Sequence, residues 1–263
     1  VLLTGDFSRV SDCSFVDFDD MQVNVNASHC VVTASTFNDS GRWLDANTSH
    51  VINLESNYSG SPCSHNIISH NNIYANGTPI QLTATSTGVC SYNHIVQNHL
   101  TYTGTVNSGL KINGADSNKI EDNQINSSNY GMVISGADAN KIRGNWSIST
   151  KGFSIGTSIG TEIVGNTIES TSSYYCIGIS SGSDSTYIRD NKLLTCLDSI
   201  NCEAGGGERH QIEGNEIVAA SRYAIRLDTD GHFIDDNYIH DCTGATYGSY
   251  LVGNDLKVTR NRW

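Results

Sequence analysis

Residues 118–125 read NKIEDNQI, and the phrase returns as NKIRGN (140–145), TEIVGNTI (161–168), TYIRDNKL (186–193), HQIEGNEI (210–217) and HFIDDNYI (232–239). Aligned on its asparagine, it recurs at Asn71, Asn98, Asn123, Asn145, Asn166, Asn191, Asn215, Asn237 and Asn261, at intervals of 27, 25, 22, 21, 25, 24, 22 and 24 residues. A period in this range marks a solenoid. Three positions before each Asn stands Ile68, Ile95, Ile120, Ile142, Ile163, Ile188, Ile212, Ile234 or Val258. Two positions after stands Ile73, Leu100, Ile125, Ile168, Leu193, Ile217, Ile239 or Trp263, with Ser147 breaking the column. Trp146 and Ile148 beside it predict a bulge or register change there.

About ten residues after each Asn lies a second apolar pattern: PIQLT (79–83), GLKIN (109–113), GMVIS (131–135), FSIGT (153–157), CIGIS (176–180), SINCE (199–203) and AIRLD (224–228). Its alternation turns Leu110 and Ile112, or Ile225 and Leu227, to one face and the residues between them to the other. Each repeat has room for three short strands and none for a helix. The expectation is an all-β, single-stranded right-handed parallel β-helix of 10–11 coils. Leucine-rich repeats need a further aliphatic two residues before the Ile, where this chain carries Asn66, Asn93, Asn118, Asn140, Thr161, Thr186, His210 and His232. Left-handed hexapeptide helices need multiples of six. Stacked coils place Ile on Ile inside and Asn on Asn at a tight corner, where a buried amide finds the turn backbone and the next amide along. Gly144, Gly165, Gly214, Asp122, Asp190 and Asp236 precede the Asn, residue types that tolerate left-handed backbone.

On these residues the sequence resembles the pectate-lyase-like superfamily of right-handed parallel β-helices, whose members carry such an Asn ladder and include polysaccharide lyases and phage tailspikes. The resemblance covers residues 60–263. Upstream, RVSDCSF and VVTASTF read as degenerate coils centred on Cys13 and Ser35, with an insertion around HVINLESNYSGSPCSH (50–65). We expect one domain over 1–263, irregular to residue 60 and regular from 61. Both ends fall inside coil patterns with no capping helix, which predicts a segment of a longer chain or a covering partner.

Composition narrows function. The formal net charge is −12, and the 15 Lys and Arg are scattered singly, so no basic stripe suits nucleic acid. No run of 18 apolar residues is present, which predicts no membrane span. Ligands in the resembled superfamily lie along one parallel sheet, assigned here to the strand after the Asn corner. Its outward pairs are Gln81 and Thr83, Lys111 and Asn113, Val133 and Ser135, Ser154 and Gly156, Gly178 and Ser180, Asn201 and Glu203, Arg226 and Asp228, then Leu251 and Gly253. Charge gathers at the C-terminal end, where Glu203 and Asp228 fall on adjacent strands, roughly 5 Å apart, beside Asn201 and Arg226. Glu208 and Arg209 in AGGGERHQ and Asp230 in RLDTDG extend the rim, and Lys111 and Asn113 lie further along.

Two carboxylates at this separation suit a glycosidase. In a β-eliminating lyase, Asn201, Glu203 and Asp228 could hold Ca²⁺ as a cofactor, while Arg226 or Arg209 takes the proton. A noncatalytic groove would use the same groups to bond sugar hydroxyls, and solvated cross-strand charge pairs are the plain alternative. The reading is thus a polysaccharide-binding β-helix with catalysis assigned to Glu203, Asp228 and Arg226, and substrate contacts to Asn201, Arg209, Glu208, Asp230, Lys111 and Asn113. Acidic or neutral polysaccharide is the partner and an extracellular or virion surface the location, with a homotrimer as in tailspikes. Its rival is a structural or adhesive solenoid, or a periplasmic accessory protein. Cys63 with Cys90, and Cys176 with Cys202, are expected to stack on adjacent coils as reduced inward pairs. His65, His70, His94 and His99 are expected on neighbouring corners, at a spacing that matches no zinc pattern.

Overall fold

A computed structural model of the chain describes residues 1–16, 22–38, 50–56, 62–84, 89–105, 107–172, 174–242 and 249–263. Every strand among them pairs in parallel with the same strand of the neighbouring coil, and the described residues contain no helix. The three strands per repeat give three faces of a right-handed parallel β-helix. The first face is an eleven-stranded sheet that includes Ile67–Ser69, His94–Val96, Lys119–Glu121, Lys141–Arg143 and Glu162–Val164. The second begins straight after the Asn, as in Asn72–Ala75, His99–Tyr102 and Thr167–Ser170. The third includes Thr78–Thr83, Ser108–Asn113, Ile177–Ile179, Asp198–Cys202 and Tyr223–Leu227. Gln124–Ser135 and Trp146–Gly156 run round the corner between second and third faces without a break, joining them into one 19-stranded sheet.

Register follows the sequence columns. Ile68, Ile95, Ile120, Ile142, Ile163, Ile188, Ile212 and Ile234 pair in file down the first sheet, each at most 2% exposed. Burying such a side chain contributes about 1.5–3 kcal/mol, so this file and its counterparts on the other faces are the core. The asparagines form the expected ladder. Asn98 Nδ2 donates to Asn123 Oδ1 (3.0 Å) and to the Ile68 carbonyl (2.8 Å), while its backbone N–H reaches the same Asn123 Oδ1 (3.0 Å). This pattern repeats to Asn261, and Ser35 and Cys13 carry it into the N-terminal coils. The residue before the ladder Asn has positive φ in coil after coil, 53° at Asp122, 63° at Gly144 and 56° at Asp190 among them, which is why Gly and Asp recur there.

The polar column five residues upstream is a second buried ladder. The Oδ1 atoms of Asn66, Asn93, Asn118 and Asn140 accept the backbone N–H of the preceding coil at 2.7–2.9 Å. Thr161 and Thr186 occupy the same column with buried, unpartnered hydroxyls, and the stacked rings of His210 and His232 end it, their Nδ1 atoms accepting the N–H of Thr186 and His210 at 3.2 Å.

Several expectations need correction. Ser147 lies in register between Ile125 and Ile168, and the irregularity of that coil pair falls between Ser127 and Tyr130. A Cβ on Gly131 would collide with Ser147 Oγ and lie 3.1 Å from Ser149 Oγ, so the interior narrows there and takes small side chains. His50–Glu55, read as part of an insertion, is a regular third-face strand paired with Thr78–Thr83. Arg226 pairs with Tyr250, so the last outward position belongs to Tyr250, and Leu251 pairs with Leu227. Cys63 and Cys90 are buried and reduced, each thiol accepting from a ladder amide, but Cys176 is bonded to Cys196, with Cα atoms 5.7 Å apart, and not stacked on Cys202. Cys202 pairs with Ile179. Coils of unequal length defeat counting from the Asn.

Candidate functional site

The outward file of the third face runs Asn53, Gln81, Lys111, Val133, Ser154, Gly178, Asn201, Arg226, Tyr250, each hydrogen-bonded strand to strand with the next. Two residues on, along the same face, come Glu55, Thr83, Asn113, Ser135, Gly156, Ser180, Glu203 and Asp228. Four of the strands make a local bond between the two files. Asn53 Nδ2 donates to Glu55 (3.0 Å), Gln81 Nε2 to Thr83 (2.7 Å), Asn201 Nδ2 to Glu203 Oε1 (3.2 Å), and Arg226 forms an ion pair with Asp228 (2.8 Å). The last two sit side by side because Asn201 and Arg226 are register partners.

Next to them is a cleft of about 150 Å³ lined by Ser154, Tyr175, Gly178, Ile179, Ser180, Asn201 and Glu203. The Tyr175 ring lies on the Gly178 backbone, where an added Cβ would come within 2.5 Å of Cζ. Burial pushes the Tyr175 phenol above its ordinary value; a hydrogen bond with Ser154 opposes this, and Tyr130 and the Glu203 charge add to it. Asn201 is 4% exposed and its Oδ1 has no partner. Lys151 Nζ sits 4.7 Å from the ring centres of both Tyr130 and Tyr174 and braces the aromatic side by cation–π attraction. Beyond it the buried Asp198 carboxylate holds Arg222, whose guanidinium is pushed above its usual value by that hydrogen bond.

The sequence-assigned residues divide. Asn201 and Glu203 line the cleft, and Arg226 and Asp228 stand on the next strand. Asp230 caps a corner instead, its Oδ1 accepting the backbone N–H of Asn254 (2.6 Å) as Asp184 accepts that of Glu208 (2.9 Å). Glu208 and Arg209 are exposed on that corner, Arg209 at a φ of 61°. Lys111 and Asn113 share the face but lie four strands from Asn201, roughly 19 Å at about 4.8 Å a strand, and take no part in the cleft. Tyr175, Tyr130 and Lys151 were missed by sequence reasoning. Their signal was a position three residues before the outward file, occupied by Tyr130, Lys151, Tyr175 and Tyr223 in different coils.

The donor set does not fit calcium, which takes six to eight oxygens. Asp228 is engaged by Arg226, and among the described residues no three His, Cys, Asp or Glu side chains gather in a metal-holding group. The histidines disperse: His94 bonds Glu121 on the first face (2.8 Å), His99 lies on the second, and His65 stacks between His29 and Tyr92. No helix among the described residues is long and apolar enough to cross a membrane.

Comparison with known proteins places this geometry. Solved structures with the same fold include the ORF18 protein of Geobacillus virus E2 (11% identity, TM-score 0.63, 96% of this chain and 50% of that one). Others are a GH87 alpha-1,3-glucanase catalytic unit from Streptomyces thermodiastaticus (11%, 0.63, 100% and 61%) and a GH136 lacto-N-biosidase from Eubacterium ramulus (12%, 0.61, 90% and 51%). The chain spans half to three fifths of their lengths, and at such identities they show the pectate-lyase-like β-helix fold alone. No curated protein sequence matches. The family model described as periplasmic copper-binding protein (NosD) matches residues 100–262, and the chain belongs to that family.

Proposed function

We propose that this member of the NosD family binds a polysaccharide along the outward third face and hydrolyses it with Glu203, Asp228 and Arg226. One observation carries the reading: the Asn201–Glu203 and Arg226–Asp228 pairs stand on adjacent strands beside an aromatic-walled cleft. Glu203, exposed at the cleft, is placed to exchange a proton with the glycosidic oxygen. Asp228, tied to Arg226, supplies the second carboxylate that stabilises positive charge developing on the sugar. Hydrolysis is favoured over β-elimination because Arg226 is engaged by Asp228 and so poorly suited to act as a base, and because the donors do not suit calcium.

Copper, named in the family description, also lacks a matching donor set among the described residues. Its ligating thiol must be a thiolate. Hydrogen bonding with Cys90, then burial, pushes the Cys63 thiol up, while Met132 is sealed in the core. We therefore route no step through copper. The Cys176–Cys196 disulfide and the periplasmic family description support a location outside the cytoplasm.

The test is a polysaccharide panel read for reducing ends and for absorbance near 235 nm. New reducing ends without that absorbance, lost at least about 100-fold in Glu203→Gln, are expected. Unsaturated products would overturn hydrolysis, and bound but uncleaved glycan, equal in wild type and Glu203→Gln, would leave an adhesive groove.

A further inference from the structure

The cleft beside Glu203 has a composition that selects among sugars. Among its lining residues are the amide of Asn201 and the carboxylate of Glu203. Asn201 lines the cleft and turns its Nδ2 to Glu203, which leaves Oδ1 buried and unpartnered, and Glu203 adds a carboxylate. A buried acceptor left without a donor is destabilising, so a bound donor gains what the empty cleft forgoes. The cations nearby are already engaged, Arg226 by Asp228, Arg222 by Asp198 and Lys151 between two phenols, and none of them lines the cleft. One wall is the flat Tyr175 ring, seated where Gly178 has no side chain; Gly178 is not among the positive-φ glycines, so space is the reason for it. About 150 Å³ has room for one sugar ring and not for two.

We infer that this cleft is a subsite for a single neutral pyranose, its C–H face on Tyr175 and two neighbouring hydroxyls donating to Asn201 Oδ1 and the Glu203 carboxylate. This rests on the polysaccharide reading and narrows it. A uronate would set its own carboxylate against Glu203 with no cation among the residues lining the cleft to receive it, so the favoured substrate is a neutral glycan presenting one residue to the cleft. Gly178 and Tyr175 are positioning residues for the ring, and Asn201 is its hydrogen-bond acceptor.

The experiment is saturation-transfer NMR and titration calorimetry on the whole chain with the methyl glycosides of glucose, galactose, mannose and N-acetylglucosamine, and with methyl glucuronide. At least one neutral glycoside should bind and the glucuronide should bind at least 10-fold more weakly. Tyr175→Ala and Asn201→Leu should each weaken the neutral glycoside at least 10-fold, Tyr175→Phe should retain it, and circular dichroism and the melting temperature identify any variant that merely misfolds. Gly178→Ala, which displaces the ring without touching its chemistry, should weaken it too. Tighter binding of the glucuronide, or unchanged binding in Asn201→Leu and Gly178→Ala, would overturn the inference. Cleavage of a polysaccharide with no glycoside held at Tyr175 sinks the subsite and leaves the hydrolase; a neutral glycoside held there without turnover does the reverse.

Discussion

Asn145→Ala tests the ladder at its middle. Asn145 Oδ1 accepts two buried donors of the preceding coil, the Asn123 backbone N–H (2.9 Å) and Asn123 Nδ2 (3.0 Å), and Asn145 Nδ2 donates to the Ile120 carbonyl (2.9 Å) and to Asn166 Oδ1 (3.0 Å). Truncation strands the Asn123 backbone N–H in a site 1% exposed, while Asn123 Nδ2 keeps the carbonyls of Ile95 (2.9 Å) and Glu121 (3.0 Å). That unsatisfied group costs about 1–3 kcal/mol, before the loss of packing. The exposed Asn126→Ala on the second face should stay within about 0.5 kcal/mol. Urea unfolding followed by circular dichroism measures both, with comparison at matched slopes because stacked coils can lose cooperativity. An Asn145→Ala midpoint within about 1 kcal/mol of wild type would refute the proposal that buried amide pairing holds the corners.

Acid should weaken the C-terminal coils. Burial lowers His210 to about 4, with His232 adding to the effect, and burial lowers His232 as well; each Nδ1 accepts a backbone N–H, so the native rings stay neutral. Stability is therefore whole above the ordinary value near 6.5 and falls as pH drops from there toward 4, by about 3 kcal/mol for His210 alone. Replacing both with Asn, which fills this column at Asn118 and Asn140, should flatten the pH dependence of the melting temperature; an unchanged slope would count against the assignment. The Cys176–Cys196 bridge closes a loop with a sequence separation of 20, so Cys196→Ser should cost about 3 kcal/mol by chain entropy. Alkylation of the unfolded, unreduced chain should leave that pair unlabelled, and labelling of both would contradict the bridge.

The fold was legible because one residue type, Ile, and one amide, Asn, recur with a period that only stacked coils explain. The second ladder was visible as a polar column but was used only to reject leucine-rich repeats. Its Asn and His members share one task, accepting a backbone N–H, that only the stacked geometry reveals, while the hydroxyls of Thr161 and Thr186 between them are buried without a partner. The Asn201–Arg226 neighbourhood followed from strand alternation alone. Tyr175 did not, because it sits where the second and third faces meet and alternation breaks: Gly131 and Met132 are both buried there in succession. Tyr250 was displaced by one position for a related reason, since a period of two has no anchor once spacing from the last Asn varies. Asp230 looked like a ligand group because a carboxylate on a turn reads alike whether it faces a substrate or caps the next coil.

The proposed function rests on glycan being held on the third face beside Glu203. A crystal structure of the chain soaked with an oligosaccharide that it binds, using Glu203→Gln to prevent turnover, tests this most directly. The prediction is a sugar ring against Tyr175 with a hydroxyl on Asn201 Oδ1 and the chain continuing past Arg226 and Asp228. A ligand seated instead in the roughly 350 Å³ hollow of the second face, among Thr101, Asn126 and Thr171, with the Tyr175 cleft empty, would contradict it.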